Sequence, residues 1–211
     1  MITVLARSAR KSKRRYIGGL DIFCHDEIFI KGDPRGRPYL TELAVLNSFP
    51  LLRDNLEKML AAGKMVQWVR KLADATTPMP AVYSLLGQTL ALIEKEDNSE
   101  RLELMGLVFR LKLLDQLGLK PRVEACVKCG NAETPEVIFE VESGGVVCRN
   151  CSTNAMDRLA LGQEERRFLD LADRFRLTAW PQLQFPLQKT RHLLSLITQF
   201  ASFHTHLKLP G

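Results

Sequence analysis

The chain of 211 residues carries 30 basic and 24 acidic side chains, 45% apolar residues and five cysteines. A chain of this size buries roughly two-thirds of its unfolded surface, enough for ordinary cores without staples, so disorder is not the default. Even the most apolar stretch, residues 102–117, contains Glu103, Arg110, Lys112 and Asp115, which excludes a membrane helix of ~20 uncharged residues.

The charge is concentrated. Residues 1–20 hold Arg7, Arg10, Lys11, Lys13, Arg14 and Arg15 and no acid, while the other 24 bases and 24 acids cancel. Such blocks repel one another and persist beside something anionic, usually nucleic acid or an anionic membrane; a merely solvated basic loop is the competing reading. Arg7 also interrupts the N-terminus before a secretory apolar region can form, and a cytoplasmic protein is expected.

Taken in chain order, residues 2–8 read as a strand running into the basic segment, which ends at Gly18-Gly19. Residues 20–31 and 39–46, joined by Gly32-Asp33-Pro34-Arg35-Gly36, read as a β-hairpin. After residue 47 the apolar period changes from two to about 3.6, which places a domain boundary there. Ser48 and Pro50 predict a helix to about residue 73, Thr77-Pro78 a second to about 95, and Asp97-Asn98 a third that stops at Gly118. The third is apolar nearly all round, as a central buried helix would be. Two more are expected over 163–175 and 187–207. Trp68 and Trp180 read as core and Cys24 as a small buried hydrophobe.

The strongest chemical signal is C-x2-C-x18-C-x2-C, formed by Cys126, Cys129, Cys148 and Cys151. Two C-x-x-C turns aim four sulfurs at one point, and Zn2+ takes four thiolates tetrahedrally. Reducible disulfides or four separate core thiols are the competing readings. Residues 137–142 alternate, then turn at Ser143-Gly144-Gly145 into Val146-Val147, as in a zinc ribbon. Four protein ligands leave no open coordination position, so the ion is expected to be structural, and chelation to unfold 122–155 locally. Such a cluster carries a formal charge of about −2, which Lys128 and Arg149 are placed to offset.

Enzyme signatures fail. His25-Asp26-Glu27 followed by C-x-x-C suggests a zinc deaminase, but Ala125 stands where the motif needs proline and the second cysteine pair would have no role. The glycine pairs lack the lysine of a phosphate loop. His192, His204 and His206 have no acid at useful spacing. Tyr16, Phe23, Phe29 and Tyr39 lie near the basic segment, where they could stack bases or pack the sheet.

The order of these motifs resembles the RecO family of bacterial recombination mediators. The resemblance is carried by Val4-Leu5-Ala6-Arg7 with the basic run, by residues 18–23, by Thr41-Glu42 leading to Ser48-Phe49-Pro50, and by residues 113–121 followed by the two cysteine pairs. It implies an α+β chain: a partial OB-fold-like DNA-binding β-barrel over 1–47, a helical domain over 48–121 and 156–211, and an inserted four-cysteine zinc element over 122–155. An OB-fold has five strands, and only about three precede residue 47. The expectation is therefore an N-terminally truncated, open barrel with an exposed edge.

The resemblance further implies a nucleoid-associated, non-enzymatic mediator of repair and recombination. It would bind single- and double-stranded DNA without sequence preference, anneal strands coated by single-strand DNA-binding protein, and help load RecA together with RecR. Arg7, Arg10, Lys11, Lys13, Arg14 and Arg15 are the expected phosphate contacts; neutralising six phosphates gives a log–log salt slope near about −4 on single strands. The runner-up is a helical zinc-ribbon adaptor that binds proteins only, without direct DNA activity.

Overall fold

The computed structural model describes residues 3–7, 9, 16, 20–32, 36, 38–73, 77–132, 137–152, 158–172 and 174–211. Within them, two strands, β1 (His25–Lys31) and β2 (Tyr39–Asn47), form an antiparallel ribbon. Four helices follow: α1 (Pro50–Arg53), α2 (Leu56–Leu72), α3 (Pro80–Lys95) and α4 (Ser99–Gln116). Next come β3 (Val137–Glu140), β4 (Gly145–Cys148) and β5 (Arg158–Ala160), an antiparallel sheet in the order β4-β3-β5. The chain ends with α5 (Gln163–Ala172), a 3-10 helix (Leu177–Gln182) and α6 (Leu187–Thr205).

α4 is the axis of the molecule. Ten of its residues are buried, on every side of the helix, and it packs against α2, α3, α5 and α6. Its ends explain its length. Asn98 Oδ1 accepts the amides of Glu100 (2.9 Å) and Arg101 (3.2 Å), satisfying donors that an α-helix leaves open. At the other end Gly118 adopts φ +72°, and the amides of Leu119 and Gly118 return to the carbonyls of Leu114 (2.8 Å) and Asp115 (3.0 Å). That double closure needs a left-handed residue, which glycine supplies without a Cβ penalty.

The helix expected from 48 to 73 is two helices. Phe49, not Ser48, stands at the start of α1, in a left-handed conformation. The chain then breaks because Asn55 caps a new start, accepting from Glu57 (2.9 Å) and Lys58 (3.1 Å). α3 begins at Pro80, the second proline after Thr77, whose missing N–H costs nothing at that position.

The N-terminal strands do not close a barrel among the described residues. Of the strand expected over 2–8, the described residues 3–7 make one parallel bridge, Leu5 to Tyr39, with Leu5 N–H donating to Pro38 (2.9 Å) and Leu40 N–H to Leu5 (3.0 Å). The hairpin starts at His25, not at 20, since Phe23 takes φ +62° and turns onto the helical core. The connection expected over 32–36 lies partly outside the described residues. Ile28, Phe29 and Ile30 are all exposed although successive residues face opposite sides, so among the described residues nothing fully covers either face of the ribbon at this point. Arg53 ties the ribbon to the helices by donating to the carbonyls of Ile22 (3.2 Å) and Ser48 (3.0 Å).

The sheet of β3 to β5 is joined to the helices by its core. Val137, Phe139, Val141 and Val146 belong to the same buried cluster as α2, α4 and α6, and Phe139 meets Phe200 edge-on at 5.9 Å. No helix is long and apolar enough to cross a membrane among the described residues.

Candidate metal centre

Two C-x-x-C turns lie side by side because β3 and β4 fold the second onto the first. The register Val137↔Cys148 to Glu140↔Gly145 brings Cys148 to the end of the hairpin. Residues 122–127 lie along β4, where Val127 N–H donates to Val146 (2.9 Å) and Val146 N–H to Arg122 (2.9 Å). Gly145 permits that approach. A Cβ there would stand 2.2 Å from the Arg122 carbonyl oxygen and 2.8 Å from Val127 Cγ1. In the first turn Gly130, at φ +75°, donates to Cys126 (2.8 Å); in the second, the amides of Cys151 (3.0 Å) and Ser152 (2.9 Å) return to Cys148.

The four sulfurs of Cys126, Cys129, Cys148 and Cys151 lie within 4.8 Å of one another, and Cys129 and Cys148 are 3.8 Å apart. A tetrahedron with Zn–S bonds of about 2.3 Å has edges of about 3.8 Å, so the set fits Zn2+ closely. Burial opposes ionisation at Cys126, but the backbone groups of Cys148, Cys129 and Lys128 outweigh it and lower the thiol to about 6. Cys151, hydrogen-bonded to Cys148 and Cys129 and facing their charge, is pushed up to about 12. Four thiolates this close repel, and a dication at their centre removes the repulsion. An all-thiolate set is closed to substrate and suits a structural ion.

Lys128, expected to offset the cluster, is itself held. Its ammonium lies 2.7 Å from Glu140, a carboxylate 2% exposed in its residue surface. Glu140 also accepts from Ser143 (2.8 Å) and Ser152 (3.2 Å). Burial works to raise its pKa, but Lys128 and the two hydroxyls hold it below the ordinary carboxylate value. From the helical side, Arg166 donates to the carbonyls of Val123 (2.8 Å) and Glu124 (2.8 Å), and His204 Nε2 lies 2.8 Å from Val141 O. The sulfur cage is thus braced by α5 and α6.

The remaining sequence expectations separate. Arg7 is described, its guanidinium 4.7 Å from the Tyr39 ring centre; Arg10, Lys11, Lys13, Arg14 and Arg15 lie outside the described residues. Tyr16 is buried and donates to Leu40 (3.0 Å), whereas Phe29 is exposed. His25 packs edge-on against Tyr83 at 5.3 Å and shares no cluster with the cysteines. Cys24 is half-buried, 3.7 Å from Arg53, rather than enclosed. His192 does meet an acid: Nδ1 lies 2.6 Å from Glu165 Oε1. The missed partner was readable in part, because Glu165 stands three residues after Gly162, the spacing of a capping box. Arg110 was the other omission. It is 4% exposed, with its guanidinium 4.7 Å from the Trp68 ring centre and Nη1 donating to Thr198 (2.9 Å).

The sequence profile described as "Recombination protein O C terminal" matches residues 53–211, which takes in α2 to α6 and all four cysteines. The chain belongs to the recombination protein O family. Among curated relatives, the "DNA repair protein RecO" of Syntrophus aciditrophicus is 29% identical over 204 residues, covering 94% of this chain and 78% of that protein. The "DNA repair protein RecO" of Alkaliphilus metalliredigens is 28% identical, covering 71% of this chain and 60% of its own length. That of Myxococcus xanthus is 30% identical, covering 76% and 64%. For the last two, the match spans less than two-thirds of the relative.

Proposed function

We propose that the chain acts in DNA repair and recombination as a non-enzymatic mediator. It binds single- and double-stranded DNA without sequence preference, anneals complementary strands coated by single-strand DNA-binding protein, and assists RecA loading with RecR. The observation that carries this reading is the family match across 53–211, at whose centre four cysteines form a closed sulfur cage. Zn2+ held by Cys126, Cys129, Cys148 and Cys151 would be structural, fixing two turns and supplying no reaction chemistry. The basic side chains Arg7, Arg10, Lys11, Lys13, Arg14 and Arg15 track phosphate through charge alone, which is tolerant of sequence. The β1–β2 ribbon and the Leu5 bridge support an OB-fold-like unit.

The helical part supports the protein-binding side of the same role. A groove of about 330 Å3 between α2, α4 and α6 is lined by Leu60, Met65, Leu102 and Leu194 and reaches Arg110. Among the described residues no carboxylate pairs with Arg110, while Lys64 stands at the edge. Glu57 and Glu103 also line the groove, Glu103 paired with Arg191, so it suits the apolar part of a tail such as that of single-strand DNA-binding protein.

The test is annealing of complementary oligonucleotides precoated with single-strand DNA-binding protein. The native chain is compared with a variant neutralised at Arg10, Lys11, Lys13, Arg14 and Arg15. Annealing by the native chain, lost in a variant of unchanged far-UV spectrum, supports the mediator. Absence of both annealing and strand binding in the native chain gives way to an adaptor that binds proteins only.

A further inference from the structure

We propose that the groove where residues 22–25 meet α2 and α3 takes one unstacked nucleobase of a single DNA strand. The groove measures about 510 Å3 and is lined by Phe23, His25 and Phe49 from the N-terminal side of the fold and by Val66, Tyr83 and Leu86 from the helices. Two kinds of irregularity converge on it. Among the described residues three non-glycines adopt positive φ, and two of them, Phe23 (+62°) and Phe49 (+40°), line this groove. Bulky side chains rarely adopt that conformation, and such strain persists where a site holds it. Gly63 and Gly87, in the middle of α2 and α3, line the same groove. Glycine weakens a helix relative to alanine, yet a Cβ at either position meets nothing within 4 Å. Packing therefore does not require these glycines; what they keep open is the groove. Gly106 of α4 does the same for the groove lined by Leu60 and Leu194.

The chemistry of the lining selects the occupant. Tyr83 is 59% exposed and its ring meets that of His25 edge-on at 5.3 Å, a fixed platform on which a base can stack. Gln67 and Arg70, one turn apart on α2, add a carboxamide, which both donates and accepts, and a guanidinium fork. The edge of a base carries donors and acceptors together, which these groups can meet. An aliphatic side chain of a protein partner would leave them without a match. The fit rests on rings and hydrogen bonds and not on net charge, since Asp74, one turn beyond Arg70, lies outside the described residues. This inference rests on the DNA-binding reading above, to which it adds a contact with the base rather than with the phosphate.

The experiment compares binding of a fluorescein-labelled oligothymidylate to the full chain with binding of an abasic strand of the same length and charge. The native chain should hold the oligothymidylate about tenfold more tightly. Tyr83→Ala should remove most of that preference and Tyr83→Phe keep it, both with an unchanged log–log salt slope, because no phosphate contact is touched. The pair Gly63→Leu, Gly87→Leu should fill the groove and remove the preference too, at a melting temperature no lower than that of the native chain, since leucine favours a helix. If the pair melts lower, the variants at exposed Tyr83 decide. Ultraviolet cross-linking of an iodouracil-containing strand supplies a second readout, with the adduct expected on the peptide that contains Tyr83. Equal affinity of the native chain for the two strands, or a preference undiminished in Tyr83→Ala or in a stable leucine pair, overturns the inference while leaving the DNA-binding reading intact. A native chain that binds neither strand removes both. A leucine pair that keeps the preference but no longer binds a peptide of the C-terminal tail of single-strand DNA-binding protein would overturn the nucleobase as occupant and assign the groove to a protein.

Discussion

At the scale of single residues, close approach and buried charge govern the outcome. Gly145 carries no side chain because its neighbour is backbone: a Cβ would fall 2.2 Å from the Arg122 carbonyl oxygen, and no change of side-chain rotamer can relieve that. Gly145→Ala should separate residues 122–127 from β4 and destabilise the protein by roughly 1–3 kcal/mol, read as a lower urea midpoint and faster zinc loss to a chelator. An unchanged midpoint would show that the two segments part at little cost. Arg110 behaves in the opposite sense. Burial lowers its pKa from 12.5 to about 10, so the folded state binds fewer protons than the unfolded between those values, and stability rises with pH across that window. At pH 7 the whole cost of a buried cation, about 3 kcal/mol, is present; the Trp68 ring and the Thr198 hydroxyl offset part of it. Arg110→Met should leave the urea midpoint unchanged or raise it. A fall of more than about 1 kcal/mol would mean that ring and hydroxyl outweigh desolvation.

At the scale of elements, what was legible in the sequence is what depends on local pattern. α4, α5 and α6 follow from apolar spacing, with Asn98 and Gly118 marking the ends of α4. Each pair of sulfurs follows from spacing, since C-x-x-C imposes its own turn, while the β3–β4 hairpin joins the two pairs into one cage. The break between α1 and α2 was legible only through Asn55, whose capping competes with an uninterrupted helix. β5 was missed because three residues carry no period, and they become a strand by pairing with β3. The hairpin was overextended because Phe23 is apolar enough to read as strand, yet packs on helices at a positive φ. Contacts between distant residues, such as Lys128 with Glu140, leave no local mark. Glu165 joins both kinds of information. One oxygen accepts Gly162 N–H at 2.8 Å and the other lies 2.6 Å from His192, so one side chain starts α5 and fastens it to α6. Glu165→Ala should cost about 1–2 kcal/mol and raise amide exchange across α5 before α4. Equal exchange in both helices would instead make the loss global.

At the scale of the whole molecule, the carboxylates set the acid limit. Burial acts to raise Glu96, but Arg101 at 2.7 Å, the Trp180 indole at 3.1 Å and the Asn98 amide at 3.2 Å hold it below 4.5. Glu140 is lowered in the same direction. A carboxyl lowered on folding adds stability that is present above its unfolded value and lost as pH falls through its folded one. The urea midpoint should therefore hold above about pH 4.5 and fall below it, with a shallower fall in Glu96→Gln; the same slope in that variant would remove Glu96 from the account.

The sheet that carries the cysteines answers to two cores, and this changes what metal removal should do. Cys126, Val147 and Cys148 form a small cluster of their own, whereas Val137, Phe139, Val141 and Val146 belong to the helical core. His204 and Arg166 add hydrogen bonds from the helices to Val141, Val123 and Glu124. The expectation that chelation unfolds 122–155 as a unit therefore yields to a narrower one. Losing the ion frees four repelling thiols and their two turns, but it does not remove the apolar surface that β3 buries against α6. After treatment with a chelator and reductant, amide exchange should accelerate over 126–131 and 148–152 while 137–141 and α4 stay protected, and helical ellipticity should be retained. Loss of protection throughout 137–141 would show that the ion, rather than the shared core, holds the sheet in place.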